Sequence, residues 1–210
     1  MFNTLLPFIF ISAYSHIYFD SLKKNALCYF FKPLTTILII CLAYMQTTTF
    51  TPVHYWVFGG LVFSLLGDIF LMLKKDYFLQ GLIAFFIAHV AYVIAFTDTE
   101  GFEFNGWLLI FLLVYAGVLI AVLNKHLGKL RIPVYAYATA LTLMVLTSYN
   151  FFQLSWHYMS LYAFVGALFF MVSDSILAYR RFVKEYVWSQ PAILATYYIA
   201  QSMIALSLTN

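Results

Sequence analysis

Residues 60–74, GLVFSLLGDIFLMLK, and residues 166–180, GALFFMVSDSILAYR, each place one aspartate inside a long apolar run. The two stretches align Asp68 with Asp174, and a basic residue follows each aspartate six positions later, Lys74 and Arg180. Six residues of helix rise about 9 Å, so we expect both carboxylates at one depth, just inside the same face of a bilayer. An ionisable residue at such a depth marks a functional site by default. Two at matched depth predict a single site built from two helices.

The composition excludes an ordinary soluble domain. The chain of 210 residues is 64% hydrophobic and 9% charged, with a mean hydropathy of +0.90, whereas soluble domains carry about 25% charged residues. We therefore expect an all-α integral membrane protein, with residues 1–210 forming one transmembrane helical domain and the lipid bilayer as partner. No nucleic-acid partner is expected, and the N-terminal apolar run predicts a retained helix. Cys28 and Cys41 lack metal-type spacing and are interpreted as small buried hydrophobes.

Apolar runs separated by short polar loops predict eight transmembrane helices. Pro33, Pro133 and Pro191 are expected to open the second, sixth and eighth helices, where a missing N–H costs nothing. The predicted helices cover residues 5–19, 33–47, 54–73, 78–97, 106–123, 132–150, 157–179 and 191–208.

The basic residues indicate the orientation. All eleven Lys and Arg lie at the first, third, fifth and seventh loops, whereas Asp98, Glu100 and Glu103 lie on the opposite side. By the positive-inside rule the basic loops are cytoplasmic, which places both termini on the non-cytoplasmic side. Because four helices return the chain to its starting side, the alignment of the two opening stretches predicts two parallel four-helix repeats. Chance similarity of apolar helices is the alternative explanation.

The polar residues of the predicted bundle have both ordinary and functional interpretations. Asp68 and Asp174 are either structural ties near the interface or a pair that shares one proton, the arrangement used for general acid and base catalysis. We favour catalysis, because each buried carboxylate costs about 2.5–3.5 kcal/mol on insertion. His89 and Tyr92 lie three residues apart on one helix face. A metal site of His89 and the two aspartates is the alternative, but the sequence has no HxxxH pair and the other histidines lie near the ends of segments, so neither a metal nor a cofactor is predicted.

Further side chains are candidates for substrate binding. Gln201 and one of the neighbouring tyrosines, for which we choose Tyr198, are expected to face the site from the eighth helix. The cations near the cytoplasmic mouth either only determine the topology or also bind a phosphate. Tyr135 is included because it belongs to a motif that is quoted below. The predicted substrate-binding set is Lys32, Lys74, His89, Tyr92, Tyr135, Ser173, Arg180, Tyr198 and Gln201.

An ordered series of motifs resembles one family, the YhhN-like lysoplasmalogenases. The resemblance implies an eight-helix membrane hydrolase that cleaves the vinyl ether of lysoplasmalogen, a 1-alkenyl-glycerophosphocholine or -ethanolamine, to a fatty aldehyde and a glycerophospho-alcohol. It also implies that the family's two essential aspartates correspond to Asp68 and Asp174. The motifs are KPLTT at 32–36, FSLLGDIFLM at 63–72, DYFLQG at 76–81, AHVAY at 88–92, PVY at 133–135, GALF at 166–169, SDSILA at 173–178 and TYYIAQ at 196–201.

Vinyl ethers hydrolyse by protonation at carbon, so one aspartate is expected to act as acid and the other to activate water, without an assignment of which does which. A lysophospholipid is then the substrate, and a bacterial inner membrane is the expected location. The alternative function is a small proton-coupled membrane transporter, since parallel repeats and intramembrane carboxylates also occur in carriers. A lipid-binding scaffold leaves the aspartates unexplained.

Overall fold

The computed structural model describes residues 4–73, 76–97, 105–155 and 158–208. Within these ranges the chain forms eight α-helices, and two single 3₁₀ turns lie between α5 and α6. The predicted count of eight helices is therefore confirmed. The helices are α1 Leu5–Ser21, α2 Asn25–Gln46, α3 Pro52–Met72, α4 Phe78–Thr97, α5 Gly106–Leu123, α6 Arg131–Ser155, α7 Tyr158–Phe182 and α8 Ser189–Leu206.

Six of these helices, α2 to α7, are long and apolar enough to cross a bilayer. Helix α1 has 17 residues and α8 has 18, and neither is among the six. The crossing of the membrane by all eight helices, and the side on which the termini lie, therefore remain predictions. Lys74, Lys75 and the acidic residues Asp98, Glu100 and Glu103 lie outside the described residues.

The predicted start of the second helix is wrong. Helix α2 begins at Asn25, eight residues before Pro33, and the proline lies inside it. An internal proline removes the amide that would bond the carbonyl four residues earlier, but the rest of the helix continues through this gap. Lys32 consequently belongs to the helix and not to the preceding loop, and its side chain is buried. Pro133 and Pro191 do lie in the first turns of α6 and α8.

The helices pack as two linked groups. Helix α3 packs mainly against α4, and α7 against α8, while α4 also contacts α6 and α2 contacts both α3 and α8. Helix α5 lies at the edge, and its side chains Trp107, Phe111, Val114 and Val118 are more than half exposed. Apolar side chains exposed on a helix of this length suit a surface that faces lipid.

Two glycines allow close contacts of the helices that carry the aspartates. A Cβ added to Gly67 would lie 2.6 Å from the Phe85 ring, and one added to Gly166 would lie 2.9 Å from the carbonyl oxygen of Ala200. The α3–α4 and α7–α8 pairs therefore approach more closely than side chains would permit. This approach brings the aromatic residues of α4 and α8 next to the carboxylates.

The two cysteines have different environments. Cys28 is buried, as predicted, but Cys41 is exposed. The interpretation of both thiols as buried hydrophobes is therefore wrong for Cys41, whose helix turns that side away from its neighbours. Sequence gives no signal for this difference, because both cysteines lie in the same apolar helix.

Candidate active site

Asp68 and Asp174 line the same cavity, which has a volume of about 620 Å³. The cavity lies between α2, α3, α4, α7 and α8, at the C-terminal ends of α3 and α7. Both carboxylates are buried, with Asp68 1% and Asp174 9% exposed. The cavity is lined by Lys32, Asp68, Phe70, Leu71, Leu73, Asp76, Tyr77, Phe78, Phe85, Ser173, Asp174, Leu177, Arg180, Arg181, Glu185, Gln190, Ile193, Leu194 and Tyr197.

Three side chains from two other helices hold the carboxylate of Asp68. The hydroxyls of Thr36 and Tyr197 each donate a hydrogen bond to Oδ2 at 2.7 Å. The ammonium nitrogen of Lys32 lies 3.3 Å from Oδ1. Lys32 and Thr36 are four residues apart and thus share one face of α2. Hydrogen bonds and a cation of this kind stabilise the ionised form of a buried carboxyl group.

Asp174 has a different environment. The hydroxyl of Tyr137 donates a hydrogen bond of 2.5 Å to Oδ2, and the Nε2 atom of His89 lies 3.7 Å from the same oxygen, beyond hydrogen-bond distance. No cation within the described ranges forms an ion pair with this carboxyl group unless His89 is protonated. Asp174 is therefore less well provided with donors than Asp68.

His89 is a fully buried side chain. Its ring packs edge-on against Phe170 and Tyr137, with centroids 4.6 and 5.0 Å apart. Neither ring nitrogen has a hydrogen-bond partner among the described residues. Buried polar nitrogens normally have partners, and His89 lies beside Asp174 without being among the residues that line the cavity.

The contacts of the two carboxylates come from helices in both predicted halves of the chain. Asp68 on α3 is held by α2 of its own half and by α8 of the other half. Asp174 on α7 is held by α6 of its own half, and His89 approaches it from α4 of the other half. Asp68 therefore receives hydrogen bonds from both halves of the chain, whereas Asp174 receives one from its own half and only a longer contact from the other.

Charged residues surround the mouth of the cavity. Arg180 forms an ion pair with Glu185 at 2.5 Å and also donates a hydrogen bond to the side-chain oxygen of Gln190. Arg181 donates a hydrogen bond of 2.5 Å to Asp76, and this bond holds the pKa of the exposed Asp76 carboxyl below its usual range. Both guanidinium groups thus have acidic partners that lie near the surface.

A small apolar cleft adjoins the cavity. It has a volume of about 50 Å³ and lies between α4, α5, α6 and α7. Asp174 lines both the cavity and the cleft, as do Phe78, Phe85, Leu71 and Leu177. A polar space and an apolar space therefore meet at one carboxylate.

The predicted site residues are only partly brought together. Lys32, Ser173 and Arg180 line the cavity; Ser173 donates a hydrogen bond of 3.0 Å to the carbonyl of Ile193. His89 lies beside Asp174, as described above. Lys74 lies outside the described residues.

Five predicted residues, His89 among them, are absent from the described lining of the cavity. Tyr92 donates a hydrogen bond of 2.8 Å to the side-chain oxygen of Gln201, a buried tie between α4 and α8. The hydroxyl of Tyr198 lies 2.7 Å from Nδ1 of His16. Tyr135 donates a hydrogen bond of 2.9 Å to Asn124.

Three residues with direct contacts to the carboxylates are missing from the predicted set: Thr36, Tyr137 and Tyr197. A signal for Thr36 was its spacing of four from Lys32. Tyr197 and Tyr198 are neighbours on α8, and the rotation of this helix decides which of them faces the cavity. No feature of the sequence separates Tyr137 from the other tyrosines. Within the described ranges, the one group of three metal-type ligands is His16, Asp20 and Cys28, which does not include either cavity aspartate.

The chain is similar to several known membrane proteins. A bovine protein named lysoplasmalogenase TMEM86A is 35% identical over 156 residues, 72% of this chain and 64% of the relative. The human protein of that name is 33% identical with the same coverage. A protein of Escherichia coli named uncharacterized membrane protein YhhN is 29% identical over 178 residues, 85% of each chain. The chain thus spans 64% of the length of these mammalian relatives, and no solved structure matches it.

The sequence pattern of the YhhN family matches residues 27–208. The matched range contains both cavity aspartates and all the side chains that hold them. The resemblance inferred from the motifs is confirmed, and the apolar helices agree with a multi-pass membrane protein. The chain belongs to the YhhN family.

Proposed function

We propose that this protein is a lysoplasmalogenase, a hydrolase that cleaves the vinyl ether of a 1-alkenyl lysophospholipid to a fatty aldehyde and a glycerophospho-alcohol. The names of the bovine and human relatives support the substrate class. The observation that carries the proposal is the position of two buried aspartates on one cavity, with different donors around each. Two carboxyl groups also meet the related chemical demand in glycoside hydrolysis.

The difference between the two environments supports a division of roles. Asp68, with two hydroxyl donors and an ammonium group, suits a permanent carboxylate. Asp174, with one tyrosine donor and apolar neighbours, suits a carboxylic acid that releases its proton during the reaction. Titratable groups in contrasting environments are the usual basis for acid and base assignments.

In the first step Asp174 transfers its proton to the alkene carbon farther from the ether oxygen. The electron pair of the double bond forms the new C–H bond, and the positive charge is shared between the other alkene carbon and the ether oxygen. The carboxylate of Asp68 stabilises this oxocarbenium ion electrostatically. His89, beside Asp174, holds a water molecule or a substrate oxygen in the site.

In the second step water attacks the cationic carbon while Asp68 takes one of its protons, which gives a hemiacetal. The hemiacetal then collapses: its hydroxyl proton passes to Asp174, and the proton on Asp68 passes to the departing glycerol oxygen. The C–O bond to glycerol breaks, and both aspartates return to their starting protonation states. One water molecule is consumed for each aldehyde and alcohol released.

The two adjoining spaces suit a molecule with one charged head and one apolar chain. The head occupies the cavity, where Arg180 and Arg181 exchange their exposed acidic partners for the phosphate, a group that guanidinium binds in a bidentate manner. The chain passes Asp174 and leaves through the apolar cleft between α4, α5, α6 and α7. This path brings the vinyl ether to the junction beside Asp174.

The same proposal includes the arrangement in the membrane. All eight helices cross the bilayer, both termini lie on the non-cytoplasmic side, and the protein resides in a bacterial inner membrane. The contact of Tyr197 on α8 with Asp68 supports α8 as part of the bundle. The membrane protein of Escherichia coli, which this chain matches over 85% of both lengths, supports the location.

The replacement of either aspartate tests the proposed reaction. Purified protein in detergent is expected to release aldehyde from 1-alkenyl lysophosphatidylethanolamine, and Asp68→Asn or Asp174→Asn is expected to lower turnover at least about 100-fold, the usual contribution of an acid or base. Glu103→Gln, on the predicted opposite side of the membrane, is the control and retains activity. Aldehyde is measured with a coupled dehydrogenase assay.

Near-normal turnover by either asparagine variant would refute the mechanism. A failure of well-folded wild-type protein to release aldehyde would instead favour a proton-coupled carrier. The proline inside α2 is the observation that favours this second function, because Gly and Pro residues are common within the helices that line carrier sites. Detergent abolishes any gradient, so only the hydrolase makes product in this assay.

Tyr137→Phe tests the support of Asp174. The change removes the hydrogen bond to Oδ2, and since bonds to charged groups contribute about 1.5–3 kcal/mol, kcat is expected to fall roughly 10- to 100-fold. Tyr135→Phe is the matched control, because its hydroxyl bonds Asn124 instead. Equal kcat values for the two variants would show that the tyrosine beside Asp174 does not assist the acid.

Ala138→Trp tests the path of the alkenyl chain. Ala138 lines the apolar cleft, so an indole there is expected to raise KM for a long-chain substrate much more than for a short-chain one. Leu143→Trp, on an exposed part of the same helix, is expected to leave both KM values near those of the wild type. An equal effect on short and long chains would place the chain elsewhere.

A further inference from the structure

We propose that His16, Asp20 and Cys28 form a Zn²⁺ site where α1 meets α2, distinct from the two cavity aspartates. One ligand atom from each of these residues lies within 4.8 Å of the other two. This spacing allows a single ion to contact all three after small side-chain movements. The site adds a metal to a protein for which the sequence predicted none.

The three ligands match the preferences of zinc. Imidazole nitrogen, carboxylate oxygen and thiolate sulfur all bind Zn²⁺, and three protein ligands leave the fourth tetrahedral position for water. His16 and Asp20 are four residues apart and thus share a face of α1. Cys28 lies in the first turn of α2, and the short loop before α2 returns it to that face.

Neighbouring side chains orient two of the ligands. Nδ1 of His16 lies 2.7 Å from the hydroxyl of Tyr198, and a proton donated from Nδ1 to this hydroxyl leaves Nε2 with a lone pair for the metal. Asp20 accepts a hydrogen bond from the side chain of Gln190. Partners of this kind behind the ligands are typical of metal sites, where they fix the tautomer and the orientation of each ligand.

The charges around the group are compatible with a divalent cation. Lys32 and Arg180 are the cations that act on these residues electrostatically, and each is paired with an acid, Asp68 and Glu185. A carboxylate and a thiolate together neutralise the two charges of the ion. The group also lies at the basic end of the bundle, which the positive-inside rule assigns to the cytoplasm, where thiols stay reduced.

The ion would link α1 to α2, the helix whose side chains contact the carboxylate of Asp68. Helix α2 supplies Lys32 and Thr36 to that carboxylate, while α1 otherwise contacts mainly α2 and α8. His16 and Asp20 precede the residues that the family pattern matches, which begin at 27. The zinc site is therefore inferred from this chain's own residues, and its role is to stabilise the α1–α2 hairpin.

Metal content of the full-length protein tests the proposal independently of activity. Protein purified in detergent from zinc-supplemented cells is expected to contain about one zinc per chain by mass spectrometry. Cys28→Ser and His16→Gln are expected to lose this zinc, while Cys41→Ser, which changes the exposed thiol, retains it. Replacement of the zinc by Co²⁺ is expected to give a thiolate-to-metal absorption band in the wild type and in Cys41→Ser. The band is expected to be absent in Cys28→Ser.

A second readout is thermal stability. A zinc chelator is expected to lower the Tm of the wild type and of Cys41→Ser, but not of Cys28→Ser, whose monodisperse elution in gel filtration verifies folding. Wild-type protein that neither retains zinc nor binds added Zn²⁺ would overturn the proposal. Equal zinc content in the wild type and in a folded Cys28→Ser protein would also overturn the proposal, because it would indicate adventitious ions only. Neither result would bear on the two-aspartate reaction.

Discussion

A carboxylate buried among apolar helices must obtain its stabilisation from donors on neighbouring helices, and this protein meets that demand twice. Insertion of each costs about 2.5–3.5 kcal/mol, and a buried charge without partners costs more. Asp68 is stabilised from α2 and α8, and Asp174 from α6. Because these donors come from distant parts of the chain, their hydrogen bonds also specify which helices lie together. The same hydrogen bonds therefore determine both the packing of the helices and the geometry of the cavity.

The two aspartates, which correspond in the predicted repeat, have different surroundings. An ammonium group lies beside Asp68, whereas the corresponding approach to Asp174 is made by an imidazole. Asp174 also borders the apolar cleft, and Asp68 does not. A symmetric pair would offer two equivalent carboxyl groups, but this contrast provides one group suited to release a proton and one suited to accept it. The asymmetry is the physical basis of the proposed chemistry.

The sequence revealed the aspartates because a charge within an apolar run is conspicuous. Their hydrogen-bond donors were not conspicuous, since a chain with 17 tyrosines gives no reason to prefer Tyr137. Tyr197 and Tyr198 differ by about 100° around the helix, and sequence alone did not fix which one faces the cavity.

Because the second helix was predicted to start at Pro33, two contacts of Asp68 were not predicted. Lys32 was assigned to the preceding loop, so Thr36 was not recognised as lying one turn farther along the same helix face. The predicted number of helices was correct despite this error, because it depends on the alternation of apolar runs and basic loops and not on any single boundary. Contacts between helices depend on rotation and depth, which hydropathy does not report.

The central claim, that Asp68 and Asp174 act as one unit, is tested most directly by the double variant Asp68→Asn/Asp174→Asn. Residues that act together in one transition state show non-additive losses. The account predicts that kcat/KM for aldehyde release by the double variant equals that of the more impaired single variant. A loss in the double variant equal to the product of the two single losses would contradict the account, because it would mean that the aspartates contribute independently.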